Sequence, residues 1–173
     1  GETALSEPLV QEDIRTLGQN SVLVLSSLNG TLTVAGGSDA VGIQASGHVL
    51  LSSGQLGNTV TSGVVLFASV SSSGGHISVL SQGAIDQGAD GDIYADGAGL
   101  SIDLQAATRI TMDAGSRTQS NNGNVLLVAG VGHITLGEIS TGDAANTSGQ
   151  VAIVAMQGSI VDQANDTAID ITA

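Results

Sequence analysis

Three histidines share one local setting. Each follows a glycine and opens an alternating apolar stretch: Gly47-His48-Val49-Leu50-Leu51, Gly75-His76-Ile77-Ser78-Val79 and Gly132-His133-Ile134-Thr135-Leu136. A column of imidazoles suggests a metal ladder, but a zinc site needs three or four convergent ligands. The copy between His76 and His133 reads Thr108-Arg109-Ile110-Thr111-Met112, so at most His48 and His76 can be neighbours. With 0 Cys there is no thiolate ligand, no thiol nucleophile and no disulfide. The expectation is a structural, solvent-facing role at a glycine corner.

The acidic residues offer a second chemistry. Asp86, Asp90, Asp92 and Asp96 fall close together, and Gly88-Ala89-Asp90-Gly91-Asp92 puts two carboxylates in a glycine-flexible stretch. Calcium takes about six to eight oxygen ligands, so these four aspartates are the candidate calcium ligands. The competing role is turn-forming, solvated surface charge. The spacing is not an EF-hand, which needs a glutamate at the twelfth position. It is also not the Gly-Gly-x-Gly-x-Asp nonapeptide, which recurs in series.

A third arrangement is enzymatic. Asp103 and Asp113 lie in consecutive alternating segments near Arg109, and glycoside hydrolysis uses two carboxylates roughly 5–10 Å apart. Alternation between Ile102 and Leu104, however, turns Asp103 outward. Sugar clefts favour aromatic platforms, and Tyr94 is the only plausible one. No Gly-x-Ser-x-Gly elbow is present. A flat ice-binding threonine ladder also fails, because Thr31, Thr33, Thr111 and Thr135 are interrupted by Leu50 and Ser78. The expectation is a protein that is not an enzyme, with a polysaccharide-active fragment as the rival.

These residues sit in an unusual composition. The chain has 173 residues, 25 Gly, 1 Pro, 1 Tyr, 1 Phe and 0 Trp, so an ordinary globular core, in which aromatics take a large share, is disfavoured. A hydrophobic content of 41% and a mean hydropathy of +0.30 are too apolar for a disordered chain. The net charge of −13, with 3 basic residues against 16 acidic ones, argues against nucleic acid and anionic membranes as partners. No apolar run approaches the ~20 residues of a membrane span.

What positions the candidate residues is a repeat. One column of alternating strands starts at 22, 41, 64, 100, 125 and 151, with spacings of 19, 23, 36, 25 and 26. A second column holds the Gly-His segments with Gly30-Thr31-Leu32-Thr33-Val34 and Gly158-Ser159-Ile160. A third is weaker: Asp13-Ile14-Arg15-Thr16, Asp92-Ile93-Tyr94-Ala95 and Ala168-Ile169-Asp170-Ile171. Three short strands in each repeat predict one coil of a β-solenoid, with strands stacking on their counterparts in parallel. The fold expected is all-β: a right-handed parallel β-helix of about six coils, taken over an antiparallel sandwich because the glycines align and aromatics are scarce. The inward ladder should run Val22, Val24, Leu32, Val34, Val41, Ile43, Val49, Leu51, Val64, Leu66, Ile77, Val79, Ile102, Leu104, Ile110, Met112, Val125, Leu127, Ile134, Leu136, Val151, Ile153 and Ile160. The long interval predicts a loop or extra strand at 82–92, with smaller loops at 55–61 and 143–148. Residues 1–12 read as a lead-in or junction, with a short helix after Ser6-Glu7-Pro8 as the alternative for the stretch up to Leu17. Residues 13–173 read as the repeat segment, ending inside a coil of a longer array.

The phrases Gly-Asn-Val-Leu-Leu-Val-Ala at 123–129 and Gly-His-Ile-Thr-Leu at 132–136 resemble the tandem repeats of filamentous-haemagglutinin-like exoproteins, as does the stretch at 30–36. Ser159-Ile160-Val161-Asp162-Gln163 and the stretch at 168–173 resemble giant surface proteins of the kind found in green sulfur bacteria and their symbiotic consortia. The resemblance covers about residues 13–173 and implies a structural or adhesive stalk at the cell surface or secreted, in cell-cell or symbiotic contact. Its implied partners are neighbouring coils of the parent protein and a cell-surface glycan or protein. A calcium-binding adhesin module is the alternative. Open coil ends also predict end-to-end self-association. No cofactor is implied beyond the calcium considered above.

Overall fold

A computed structural model describes residues 13–18, 20–37, 39–54, 62–143, 146–147, 149–163 and 170–173. The expected lead-in at 1–12, the loop at 55–61 and the third-column residues Ala168 and Ile169 lie outside them. Strands come in triplets along the chain. The first is β1 (Ile14–Arg15), β2 (Val22–Ser27) and β3 (Leu32–Val34); then β4 (Val41–Ala45), β5 (His48–Ser53) and β6 (Gly63–Leu66). Next come β7 (Ser69–Ser72), β8 (Ile77–Ser81) and β9 (Ala84–Gln87), followed by β10 (Ile93–Ala98), β11 (Ile102–Ala106) and β12 (Ile110–Met112). After them stand β13 (Arg117–Asn121), β14 (Val125–Ala129), β15 (Ile134–Leu136) and β16 (Glu138–Ser140). The small pair β17 (Gly142–Asp143) and β18 (Asn146–Thr147) precedes β19 (Val151–Ala155), β20 (Ile160–Asp162) and β21 (Ile171–Thr172).

Each triplet is one coil. The first strands of the triplets, with β21, form a seven-stranded sheet, and the second and third strands form two six-stranded sheets. Every pairing in these three sheets is parallel; β17 and β18 form a separate antiparallel pair inside the expected 143–148 loop. The fold is a three-sheet parallel β-solenoid. Among the described residues, no helix is long and apolar enough to cross a membrane.

The true coil period is steadier than the sequence spacings suggest. Val22 faces His48, Val49 faces Ile77, Ile77 faces Ile102, Ile102 faces Val125 and Val125 faces Val151, so coils advance by 26, 28, 25, 23 and 26 residues. The expected columns were out of phase across 41–79. The strand at 41–45 belongs with β1, and those at 48–53 and 77–81 belong with β2. Of the loop or extra strand expected at 82–92, the strand is what forms: β9 is a regular member of its sheet, paired with β6 and β12, and not a corner bulge.

The core is a set of aliphatic ladders. Ile43, Leu51, Leu66, Val79, Leu104, Ile110, Leu127 and Ile134 are completely buried. Three expected inward residues are instead exposed. Val22 and Val24 point out at 64% and 55% exposure while Leu23 and Leu25 point in, because β2 registers Leu23 on Val49 and Leu25 on Leu51. Ile160 stands in the inward column over Ile134 but is 50% exposed, since no described strand covers it. Ile85, Val70, Ile93 and Ile139, absent from the expected ladder, are fully buried.

At the coil corners the inward side chains shrink. One column reads Ser27, Ser53, Ser81, Ala106, Ala129 and Ala155. Its serine hydroxyls turn to backbone, as Ser53 does to the Gly30 carbonyl at 2.8 Å. Burying a hydroxyl is tolerated only when it is bonded in this way. The narrow bend, not the flat faces, therefore accounts for the small-residue composition. Gly75 shows the limit: a Cβ there would run into the Gly47 carbonyl carbon and the His48 amide of the preceding coil.

Candidate functional site

The three histidines begin with the backbone. Each sits exposed at a corner, just before or at the start of a strand. His48 Nδ1 accepts the backbone N–H of His76 at 3.2 Å, His76 Nδ1 accepts that of Ser101 at 2.8 Å, and His133 Nδ1 accepts that of Ser159 at 3.0 Å. Every acceptor serves the matching position one coil further on. The rings of His48 and His76 stack with centroids 5.4 Å apart and planes 25° from parallel. Asn124 was missed by sequence reasoning. It fills the same slot after Gly123, and its Oδ1 accepts the N–H of Gln150 at 3.0 Å. The recurrent signal was Gly followed by a side chain with a short-reach acceptor, not Gly-His. An imidazole whose Nδ1 accepts an amide proton is engaged there and is not a metal ligand through that atom.

The four candidate calcium ligands do separate jobs. Asp86 projects from β9, and Arg109 Nη2 donates to its two oxygens at 3.0 and 3.1 Å. Asp90 lies exposed in the turn closed by the Gly91 N–H on the Gly88 carbonyl. Asp92 accepts the Tyr94 hydroxyl at 2.6 Å and the Arg117 backbone N–H at 2.7 Å, tying one coil to the next. Burial and the Asp92 hydrogen bond push the Tyr94 phenol up to about 12. Asp96 stands apart on a bulge. Among the described residues no group of three or more His, Asp and Glu side chains gathers as a metal ion would require.

The enzymatic constellation is likewise dispersed. Asp103 projects from β11 and is bonded by Gln105 Nε2 at 2.9 Å. Asp113 follows β12, in a different sheet, and the Arg109 guanidinium is occupied by Asp86. The outward column through Thr33 reads Val65, Asp86, Thr111, Thr135 and Val161, so no continuous threonine face exists there.

Asp96 is the residue the fold singles out. Between Ala95 and Ala98 the pairing of β10 with β13 slips, and Asp96-Gly97 bulges out of the coil. Bulges of this kind re-aim side chains. The Asp96 carbonyl accepts Asn121 Nδ2 at 2.9 Å, while its carboxyl, on an exposed residue, is raised from its ordinary value by partial desolvation. Two shallow concavities of about 240 and 310 Å³ share Asp96 in their walls. Gln119, Ser120 and Asn121 line the first beside Ala95 and Gly142, and Arg15, Gln44 and Ser71 line the second beside Leu17 and Ala45. Together they make a polar furrow along a corner of the solenoid.

No family model matches the chain, and neither a curated protein nor a solved structure does.

Proposed function

We propose that this chain is a structural and adhesive stalk segment of a large extracellular bacterial surface protein. The observation that carries the reading is the use of its polar side chains: His48, His76, Asn124, His133 and Asp92 all reach one coil forward and bond backbone. They are spent on cohesion along the axis, where a stalk is loaded. The parallel ladders run in the same direction, each coil contacting its neighbours. The furrow at Asp96 is the contact surface in this reading, its amides, hydroxyls and carboxylate being suited to the hydroxyls of a cell-surface glycan.

Single-molecule pulling from the two termini tests the stalk. A stalk should unravel in steps of one coil, about 25 residues or roughly 80–90 Å of extended chain. A single all-or-none rupture at low force would sink the reading. A glycan array probed with the native chain and with Asp96→Asn tests the contact surface, since a glycan held in the furrow should be lost selectively in the variant.

A further inference from the structure

Four corner amides are each closed by a side chain of the preceding coil. His48 Nδ1 takes the N–H of His76, His76 Nδ1 that of Ser101 and His133 Nδ1 that of Ser159, while Asn124 Oδ1 takes that of Gln150. The acceptors are of two kinds. An amide oxygen remains an acceptor whatever the pH, whereas a proton on Nδ1 converts an imidazole acceptor into a donor. An imidazole in water changes charge between about pH 5 and 8, and carboxylates in water stay ionised over most of that range.

All three rings are exposed, so a proton reaches them without any coil opening. Once on Nδ1 it points at the backbone N–H, and the ring must swing off the amide it had closed. At His76 the Ser101 hydroxyl, 2.8 Å from Nδ1, can accept the new proton, but the Ser101 N–H still loses its acceptor. The unfolded chain charges its imidazoles without breaking a bond. It therefore binds more protons than the folded chain as pH falls, and stability falls with it.

The groups facing the rings are these, among the described residues. His48 and His76 face each other, with centroids 5.4 Å apart, and Val22 stands across His48 on β2. On β11, Asp103 lies opposite Ser78, two residues past His76, with Gln105 Nε2 on it at 2.9 Å. Beside His133, Arg109 directly precedes the Ile110 that pairs with Ile134, and its guanidinium is on Asp86. On β20, Asp162 lies opposite Leu136, three residues past His133. Asp103 attracts a charge at His76; Arg109 repels one at His133, and each stacked ring repels a second charge on the other.

We infer that His48, His76 and His133 are acid-released latches between coils, so that the solenoid loosens at these three corners below about pH 6 while the Asn124 corner holds. The inference goes beyond the stalk reading, which stands if the latches fail.

The test is amide hydrogen exchange on the whole chain, read residue by residue by NMR from about pH 7.5 to about pH 5.5, the range in which imidazole titrates, and corrected for the intrinsic effect of pH. Protection of the His76, Ser101 and Ser159 amides should fall by roughly threefold to tenfold, the worth of one hydrogen bond. Gln150, held by Asn124, should keep its protection. Nitrogen-15 spectra at the upper pH should show the proton of all three rings on Nε2. With His48→Asn, His76→Asn and His133→Asn combined, the urea midpoint should lose the part of its pH dependence that the native chain shows above about pH 5.5. Rings carrying the proton on Nδ1 at the upper pH would overturn the inference. So would protection that stays constant at the three amides, or that falls equally at Gln150. A urea midpoint as pH-dependent in the combined variant as in the native chain would overturn it as well. If that variant does not fold, the exchange and tautomer readings on the native chain decide.

Discussion

The imidazole of His48 lies against that of His76 and accepts the His76 backbone N–H at 3.2 Å. One side chain therefore closes the corner of the coil ahead of it, and His76 repeats the act on Ser101. The acceptor must be an unprotonated Nδ1, which fixes the tautomer from geometry. Asparagine does the same work at Asn124 with an amide oxygen.

That equivalence predicts a substitution pair. His76→Ala leaves the Ser101 amide without its acceptor and should cost about 0.5–1.5 kcal/mol, the usual net worth of one hydrogen bond. His76→Asn should recover most of it, because Asn124, two coils further on, fills the same slot and accepts the Gln150 N–H with its amide oxygen. Chemical denaturation followed by far-UV circular dichroism compares the two. Equal losses in both variants would mean that the ring stack on His48, not the hydrogen bond, is what matters.

Three parallel strands per coil were legible because alternation and glycine spacing are local signals. The phase of the coils was not. Val41-Gly42-Ile43 and Val22-Leu23-Val24 carry the same pattern, yet one pairs with β1 and the other with β5. Nothing local tells two identical strand patterns which sheet they enter; the inter-coil register decides. The same ambiguity hid the facing of β2, whose four consecutive apolar residues fit either face. At the candidate site, the acidic cluster in sequence was real, but Asp86 and Asp92 face different sheets in the folded chain and each already has a partner. The Asp96 bulge was invisible beforehand, since it is a register slip against β13.

Gly75 makes a sharper prediction about the corners. Its missing Cβ is the space in which the backbone of Gly47 and His48 passes. Gly75→Ala should push two coils apart and cost about 1–3 kcal/mol, the range for overpacking a close-packed site. Gly115 provides the contrast in space: nothing lies within 4 Å of a Cβ there, so the φ of 90° is the sole objection to Gly115→Ala. Melts of both variants separate crowding from backbone strain, and a smaller loss in Gly75→Ala than in Gly115→Ala would refute the close-approach argument.

Asp96, exposed on its bulge yet partly desolvated, should weigh slightly against the fold at neutral pH. Its carboxyl is raised by desolvation, so the charged form is held less favourably in the folded chain than in the unfolded one. The stability it withholds is absent below the unfolded value near 3.8 and grows as pH rises through the folded one. Asp96→Asn should therefore melt higher than the native chain at pH 7, with the difference vanishing in acid. Calcium in millimolar excess over EDTA should leave the native midpoint unchanged, because the four aspartates are not gathered. A calcium-raised midpoint abolished by Asp96→Asn would reverse that conclusion.

Tyr94 offers the cleanest titration in the molecule, being the 1 Tyr of a chain with 0 Trp. Burial first, and then the hydrogen bond to Asp92, raise its phenol from 10.0 to about 12. The neutral phenol is thus favoured by folding. The stability this contributes is complete below pH 10, where both states are protonated, and is lost as pH climbs toward 12. Phenolate absorbance near 295 nm should accordingly rise with a midpoint close to 12 in the folded chain and close to 10 in urea. Asp92→Asn should pull the folded midpoint down only part of the way, because desolvation is the larger cause and remains. It should also weaken the chain at neutral pH, since the carboxylate that accepts the Arg117 backbone N–H is replaced by a neutral amide oxygen. A folded midpoint at 10 would show that Tyr94 is solvated and that Asp92 serves the next coil alone.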